Sequence, residues 1–99
     1  MNQFSQFTFN TTSVSLYGNL SKPFVLCSDV LVKCLGHSMI QDSHYFRDNR
    51  TNTDLFLFDK NVWYFTQTGL VETLKRSHKK NAKAVLRAFE YRITEMLKE

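Results

Sequence analysis

The chain has 99 residues, enough for one ordinary domain and too few for two. Hydrophobic residues make up 42% of it and charged residues 22%, with three glycines and one proline; this composition excludes collagen-like, low-complexity and intrinsically disordered proteins. The formal net charge is +4, so the sequence predicts one basic globular domain spanning residues 1–99.

The N-terminal part of the chain predicts a small antiparallel sheet. Residues 7–9 (FTF) and 13–17 (SVSLY) alternate apolar with polar side chains, which is typical of half-buried strands. Residues 18–19 (GN) have turn chemistry, and residues 23–26 (PFVL) read as the returning strand.

A short helix and a polar loop are predicted next. Ser28 stands at an N-cap position, Asp29 suits the first turn, and Gly36 suits the residue after the helix. The apolar residues between them share one face, which indicates about two helical turns. Residues 37–53 are rich in Asn, Asp, Ser and Thr, and we expect a loop with at most one helical turn.

A second hairpin is predicted from two apolar runs, residues 55–58 (LFLF) and 62–65 (VWYF), joined by a turn at 59–61. Because both runs are apolar on both faces, we expect this hairpin to lie deep or to be covered by helices.

Two helices are predicted at the C-terminal end, over residues 67–76 and from about 80 to 98, with a break at Ser77 and His78. The second is amphipathic, with apolar residues recurring every three or four positions: Ala82, Val85, Leu86, Phe89, Ile93, Met96 and Leu97. The predicted fold class is α+β, with small antiparallel hairpins packed against three to four helices, the last of them long. The layout of the two final helices is similar to a helix-turn-helix unit.

The positive charge is concentrated at the C-terminal end. Residues 1–71 contain five basic and five acidic side chains, whereas residues 72–99 contain eight basic and four acidic ones. Six cations follow one another without an intervening acidic residue: Lys75, Arg76, Lys79, Lys80, Lys83 and Arg87. Such a concentration attracts polyanions, although a solvated helix face has the same composition. We expect these six residues to bind phosphates, with His78 and Asn81 as candidates for reading bases.

Two cysteines that precede two histidines suggest a zinc site. Their spacings of seven, three and seven positions differ from the closely spaced pairs that surround structural zinc, so no metal and no cofactor are expected. The residues concerned are Cys27, Cys34, His37 and His44.

Catalytic patterns are weak, and the chain is not expected to be an enzyme. No glycine-rich phosphate loop follows a strand. Asp54 and Asp59 are five positions apart, so on a strand they point to opposite faces. A cysteine paired with His37 could form a nucleophile and base, but a buried cysteine packed in the core is the simpler interpretation.

The sequence lacks a secretory signal pattern and any apolar run of membrane-spanning length, so no membrane partner is expected. With two cysteines too far apart on a helix to be bridged, we expect an intracellular, reduced protein.

Five segments, in this order, resemble motifs of the BRO-N domain family. They are residues 22–30 (KPFVLCSDV), 34–38 (CLGHS), 68–77 (TGLVETLKRS), 81–84 (NAKA) and 89–97 (FEYRITEML). The third resembles the family's SGLYxLIxRS segment, and the last two resemble its AKAFxxWVxxEVLP ending. Together they extend over nearly the whole chain.

This resemblance implies an α+β fold and DNA binding in a regulator of viral or phage type, including antirepressor-like proteins. It implies a location in the host nucleus or cytoplasm for a eukaryotic virus, or in the bacterial cytoplasm for a phage. Our leading hypothesis is a duplex-DNA-binding regulator, and a homodimer is compatible with it. The alternative is a dimerising protein-interaction module that binds a repressor or a host factor without binding DNA.

Overall fold

Five antiparallel strands form one continuous sheet in the computed structural model, which describes residues 1–99. The strands are β1 (Gln3–Phe9), β2 (Thr12–Asn19), β3 (Lys22–Leu26), β4 (Phe56–Asp59) and β5 (Val62–Thr66). Their order across the sheet is β1-β2-β3-β5-β4. The two predicted hairpin regions are therefore one sheet, joined where β3 pairs with β5 and Val25 lies opposite Phe65.

The helical elements confirm the predicted α+β class with a long last helix. They are a π-helical segment (Asp29–Cys34), a 3-10 turn (Ile40–Asp42), α1 (His44–Asn49), α2 (Gln67–Arg76) and α3 (Ala82–Leu97). The helix α3 is amphipathic as predicted: Ala82, Val85, Phe89 and Ile93 are buried. Leu97 was predicted on the buried stripe, but this residue, the last of α3, is 68% exposed.

The turns differ in part from the prediction. The strand β2 continues through Asn19, so the turn to β3 lies at Leu20 and Ser21 and not at residues 18–19. Gly18 is inside β2 with φ +87°, and a Cβ there would lie 2.7 Å from the carbonyl oxygen of Lys22. The glycine thus allows a close approach of β2 and β3 instead of forming the turn.

The first predicted helix forms, but as a π-helical segment and without its predicted cap. The Ser28 side chain makes no capping hydrogen bond, because the backbone of this residue is already helical. The predicted helix-terminating glycine is correct, since Gly36 adopts φ +83°.

The polar segment 37–53 contains more helix than predicted. The Ser43 hydroxyl accepts a hydrogen bond from the Phe46 backbone N–H and caps the six-residue helix α1. Phe46 is fully buried, with its ring 5.1 Å from that of Phe56 and 5.2 Å from that of Trp63. One aromatic residue thus anchors an otherwise polar segment to the second hairpin.

The core lies between one face of the sheet and the helices. Alternate strand positions contribute side chains that are fully or almost fully buried against α2 and α3. Each such side chain contributes about 1.5–3 kcal/mol to folding. The main residues are Val14, Leu16, Val25 and Phe65 from the sheet and Leu70, Leu74, Val85 and Phe89 from the helices.

The second hairpin is less deeply placed than predicted. Phe56 and Phe65 are buried, but Phe58 is 52% exposed and Val62 is 38% exposed. Phe58 is on β4, the edge strand of the sheet, and Val62 is the first residue of β5 after the hairpin turn.

The other face of the sheet also carries apolar side chains. Tyr17, Phe24, Leu26, Leu57 and Tyr64 occupy the alternate positions of four adjacent strands, and cross-strand pairs connect them. None of the five belongs to the buried core cluster or packs against it. We call this set the outer apolar face.

Candidate nucleic-acid interface

The six predicted phosphate-binding cations are all exposed, on three consecutive elements. Two lie in the last turn of α2, where positive charge interacts favourably with the helix dipole. Two lie in the connection between α2 and α3, and two lie on the first half of α3. In chain order they are Lys75 and Arg76, Lys79 and Lys80, and Lys83 and Arg87.

The predicted start of the last helix, near residue 80, was wrong by about two residues. The helix α3 begins at Ala82, so Lys79 and Lys80 precede it. The connection is fixed by its own hydrogen bonds: the Ser77 hydroxyl accepts from the Lys79 N–H, and the Ala82 N–H donates to the Lys79 carbonyl. Local polar bonding therefore replaces the first helical turn that the sequence pattern predicted.

Five of the six cations have no acidic partner. Arg76 pairs with Glu72 at 2.9 Å, but no carboxylate oxygen lies within 4.0 Å of the charged nitrogens of the other five. Their charge is consequently not neutralised by the protein itself.

The six cations border different surfaces. Lys75 lines a groove between the start of β3 and the first half of α2. Arg76 and Lys79 line a cleft on the side of α1, and Arg87 lines a groove between α3 and β1. Lys83 lies one helical turn before Arg87, about 40° away around the helix axis.

The two candidates for base reading differ in how free their side chains are. His78 is exposed at the cleft that Arg76 and Lys79 line. Asn81 is half-buried, and its amide N–H donates to the carbonyl oxygen of Cys34 at 3.2 Å. Asn81 thus ties the start of α3 to the end of the π-helical segment.

His78 lies at that cleft together with His37 and His44, which precede it by 41 and 34 positions in the sequence. His37, His44 and His78 line it together with Arg76 and Lys79, and it has a volume of about 520 Å³. We call it the histidine cleft. Its remaining lining residues are Leu31, Asp42, Ser43, Tyr45, Thr73 and Ser77.

The side chains on the walls of the histidine cleft are held in place. The Arg76 guanidinium is bonded to Glu72 and lies 5.2 Å from the centre of the Tyr45 ring. Arg47 Nη2 donates to His44 Nδ1 at 3.3 Å, so the ring hydrogen of neutral His44 is on Nε2.

Burial, together with charges around the cleft, disfavours protonation of His37. Burial lowers the pKa of this imidazole, and the nearby Lys79 lowers it further. Asp42 acts in the opposite direction, and His44 adds to the lowering.

Sequence reasoning missed this cleft as a unit. The sequence pattern suggested His37 and His44 as metal ligands and His78 as a base-reading residue, but it did not predict that the three lie together. One signal was present: Thr73 is a polar residue on the buried stripe of α2, between Leu70 and Leu74. Its hydroxyl is buried and has no hydrogen-bond partner.

The residues considered for metal binding and nucleophilic catalysis do not form a reactive group. No three His, Cys, Asp or Glu side chains are grouped so that they could hold a metal ion. Cys27 and Cys34 are both buried and unbridged. Burial, with a smaller effect of Asp29, raises the pKa of Cys34 to about 11, and burial raises the pKa of Cys27 further. Both thiols are therefore protonated at neutral pH and are poor nucleophiles.

Tyr91 is 68% exposed, whereas Tyr17 and Tyr45 are half-buried. The Tyr17 ring packs edge-on against the ring of Tyr64 at 5.5 Å.

None of the helices has both the length and the apolar character that crossing a membrane requires. Comparisons with known protein families, with curated protein sequences and with solved structures found no match. The resemblance to the BRO-N family thus stays an expectation that rests on the five sequence segments alone.

Proposed function

We propose that this protein binds duplex DNA through the cations of residues 75–87. The observation that carries the proposal is that all six cations are exposed and that five of them have no carboxylate partner. A polyanion supplies the missing negative charge, and release of its counterions drives binding.

Phosphate contacts supply most of the affinity in this mode and little sequence information. Lys80, Lys83 and Arg87 follow one another along the connection and the first half of α3, where all three are exposed. Lys75, Arg76 and Lys79 add charge at the end of α2. Base reading falls first to His78, which is exposed, because the Asn81 amide N–H already has a protein acceptor.

The resemblance to BRO-N domains supports a regulatory role in viral or phage transcription or replication. A dimeric DNA-binding form is compatible with this role, since symmetric readers of DNA commonly pair.

A titration on random-sequence duplex at several salt concentrations tests the proposal. If four to six phosphates are neutralised, the slope of log K against log salt is roughly −4 to −5. Parallel titrations on single-stranded DNA and RNA show whether the duplex is preferred. A slope near zero on the duplex contradicts the proposal, and so does a clear preference for RNA.

The outer apolar face favours a second candidate function, a protein-interaction module. Four half-buried apolar side chains around the buried Tyr64, all outside the main core cluster, form a continuous sheet face of the kind that contacts other proteins. The partner would be a second copy of the chain, a repressor or a host factor. A concentration-dependent dimer in light scattering, without any DNA shift in a mobility assay, favours this function over DNA binding.

A further inference from the structure

The histidine cleft differs from the grooves that Lys75 and Arg87 line because it brings three histidines together with two cations. Only Leu31 and Tyr45 among its eleven lining residues are apolar. Its volume of about 520 Å³ is in the range of small-molecule sites. A nucleotide is small enough to enter a cleft of this volume, and the apolar parts of its lining can contact a base or a ribose.

The charged groups of the cleft favour an anion. Arg76 and Lys79 carry full positive charges, and His37, His44 and His78 each offer a ring N–H donor. The one carboxylate in the lining, Asp42, accepts a hydrogen bond from the Met39 backbone N–H at 3.2 Å. Cations and donors thus outnumber the single acid, whose charge is partly satisfied by the protein.

Thr73 provides an independent indication of a ligand. This residue is only 2% exposed, it lines the cleft, and its hydroxyl has no hydrogen-bond partner in the protein. A buried hydroxyl without a partner costs about 1–3 kcal/mol, and proteins seldom leave one unpaired. A ligand oxygen beside α2 would supply the acceptor that the hydroxyl lacks.

We propose that the histidine cleft binds a phosphate monoester, carried either by a free nucleotide or by the phosphorylated end of a nucleic-acid strand. A monoester has up to two negative charges and three acceptor oxygens on one group. Lys79, which has no acidic partner, supplies positive charge, Arg76 donates from the guanidinium that also contacts Glu72, and the imidazoles donate to the oxygens; the Thr73 hydroxyl reaches a ligand oxygen once its side chain turns toward the cleft. The cleft shares Arg76, His78 and Lys79 with the proposed duplex surface, whereas Lys80, Lys83 and Arg87 lie outside it, so binding of a small monoester can be measured independently of duplex binding.

Calorimetric titration with AMP tests the proposal, with adenosine as the ligand control and inorganic phosphate as the minimal probe. We expect saturable binding of AMP and of phosphate, and none of adenosine. Lys79→Gln should reduce AMP affinity about tenfold, because it removes a charge-assisted contact. Lys98→Gln is the matched control: Lys98 is also exposed and has no acidic partner, and its replacement should change AMP affinity less than about twofold.

Thr73→Val separates a ligand contact from a structural role, because valine has nearly the same shape without the hydroxyl. We expect an AMP affinity about fivefold lower, together with an unchanged or higher melting temperature of the ligand-free protein. The proposal is wrong if AMP binding does not saturate, if either cleft variant keeps wild-type affinity, or if Lys98→Gln loses as much as Lys79→Gln.

The source of the phosphate is decided by a short oligonucleotide with and without a 5′-phosphate. Tighter binding of the phosphorylated strand than of AMP, lost without the phosphate, identifies a nucleic-acid end as the ligand. Equal affinity for AMP and the phosphorylated strand identifies the free nucleotide as sufficient. A duplex titration without salt dependence, alongside saturable AMP binding, contradicts the proposed function and leaves this inference intact.

Discussion

The helix α3 has two charged flanks that are used in opposite ways. On one flank, Arg92 donates to the Ser5 hydroxyl at 2.9 Å and to the Gln6 carbonyl at 3.1 Å, and it lies within 4 Å of Glu95 and Glu99. On the other flank, Lys83 and Arg87 have neither a hydrogen-bonding nor an acidic partner. The two flanks are about 140° apart, measured from Arg87 to Arg92.

This difference separates positive charge that holds the fold from positive charge that is free for a partner. A guanidinium with four protein contacts joins α3 to β1, while the cations on the free flank are neutralised only by solvent ions. Net charge alone cannot distinguish the two, because all three residues count equally toward the +4. The predictions below test whether the flanks can be separated experimentally.

Phe89→Ala is expected to have the largest effect on stability, because Phe89 packs α3, which carries both flanks, against Phe7 of β1. Phe89 is 1% exposed, and its ring packs edge-on against Phe7 at 5.9 Å. The truncation should reduce the free energy of unfolding by about 3–5 kcal/mol, measured by urea denaturation. A loss below about 1 kcal/mol would show that α3 is not docked through this residue.

The double variant Lys83→Gln/Arg87→Gln affects only the free flank. We expect unfolding to change by less than about 0.5 kcal/mol, because neither side chain has a partner. Duplex binding should weaken for all sequences alike, and the salt slope should become shallower by about 2.

The matched control for this pair is Arg50→Gln/Lys98→Gln, which removes the same charges from exposed positions without acidic partners. An equal change of slope in the two double variants would mean that total charge, and not the free flank, determines binding.

Arg92→Gln changes the flank of α3 that is bonded to β1. Here we expect a loss of stability without a change in the salt slope of duplex binding. Loss of the contacts to Ser5 and Gln6 should lower the free energy of unfolding by about 1 kcal/mol, since the side chain is partly exposed. The salt slope of duplex binding should stay within about 0.5 of the wild-type value, because Arg92 is already neutralised. A loss of slope without a loss of stability would assign Arg92 to the binding surface.

The smallest expected effect is the contribution of His37 to the pH dependence of stability. Its pKa is lowered in the folded protein by burial, with further contributions from Lys79 and His44 and an opposing one from Asp42. The unfolded chain therefore binds the proton more readily, and stability should fall as the pH drops below about 6.5. Urea denaturation at pH 7.5 and 5.5 should show a smaller loss for His37→Gln than for the wild type; identical losses would contradict the assignment.

Much of the local structure was predictable because it depends on short-range patterns. Alternating residues located β1 and β2, continuous apolar runs located β4 and β5, and a three-to-four residue repeat located α3. The hairpin turn at Lys60 and Asn61 was also predictable, and both residues adopt positive φ angles.

Failures occurred where distant residues decide the outcome. The helix α1 forms because Phe46 reaches Phe56 and Trp63, which are ten or more positions away in the chain. The π-helical segment ends where Asn81, 47 positions later, bonds to Cys34. The turn at residues 18–19 was misplaced because Gly18 serves the contact between β2 and β3, not chain reversal.

The candidate site also has one part that local sequence predicts and one part that depends on contacts between distant residues. The basic segment was visible in the sequence, because six cations without an intervening acid need no structure to be counted. The histidine cleft was not visible in the sequence, because its walls are formed by residues between 31 and 79 that meet only after folding.

The sequence by itself thus determined the elements, the α+β class and the location of the net charge, because backbone periodicity and formal charge are local properties. Only the tertiary structure decided that two hairpin regions form one sheet, that Arg92 is neutralised and Lys83 is not, and that three histidines share a cleft. These outcomes depend on contacts between residues up to 87 positions apart, and no local pattern encodes such distances.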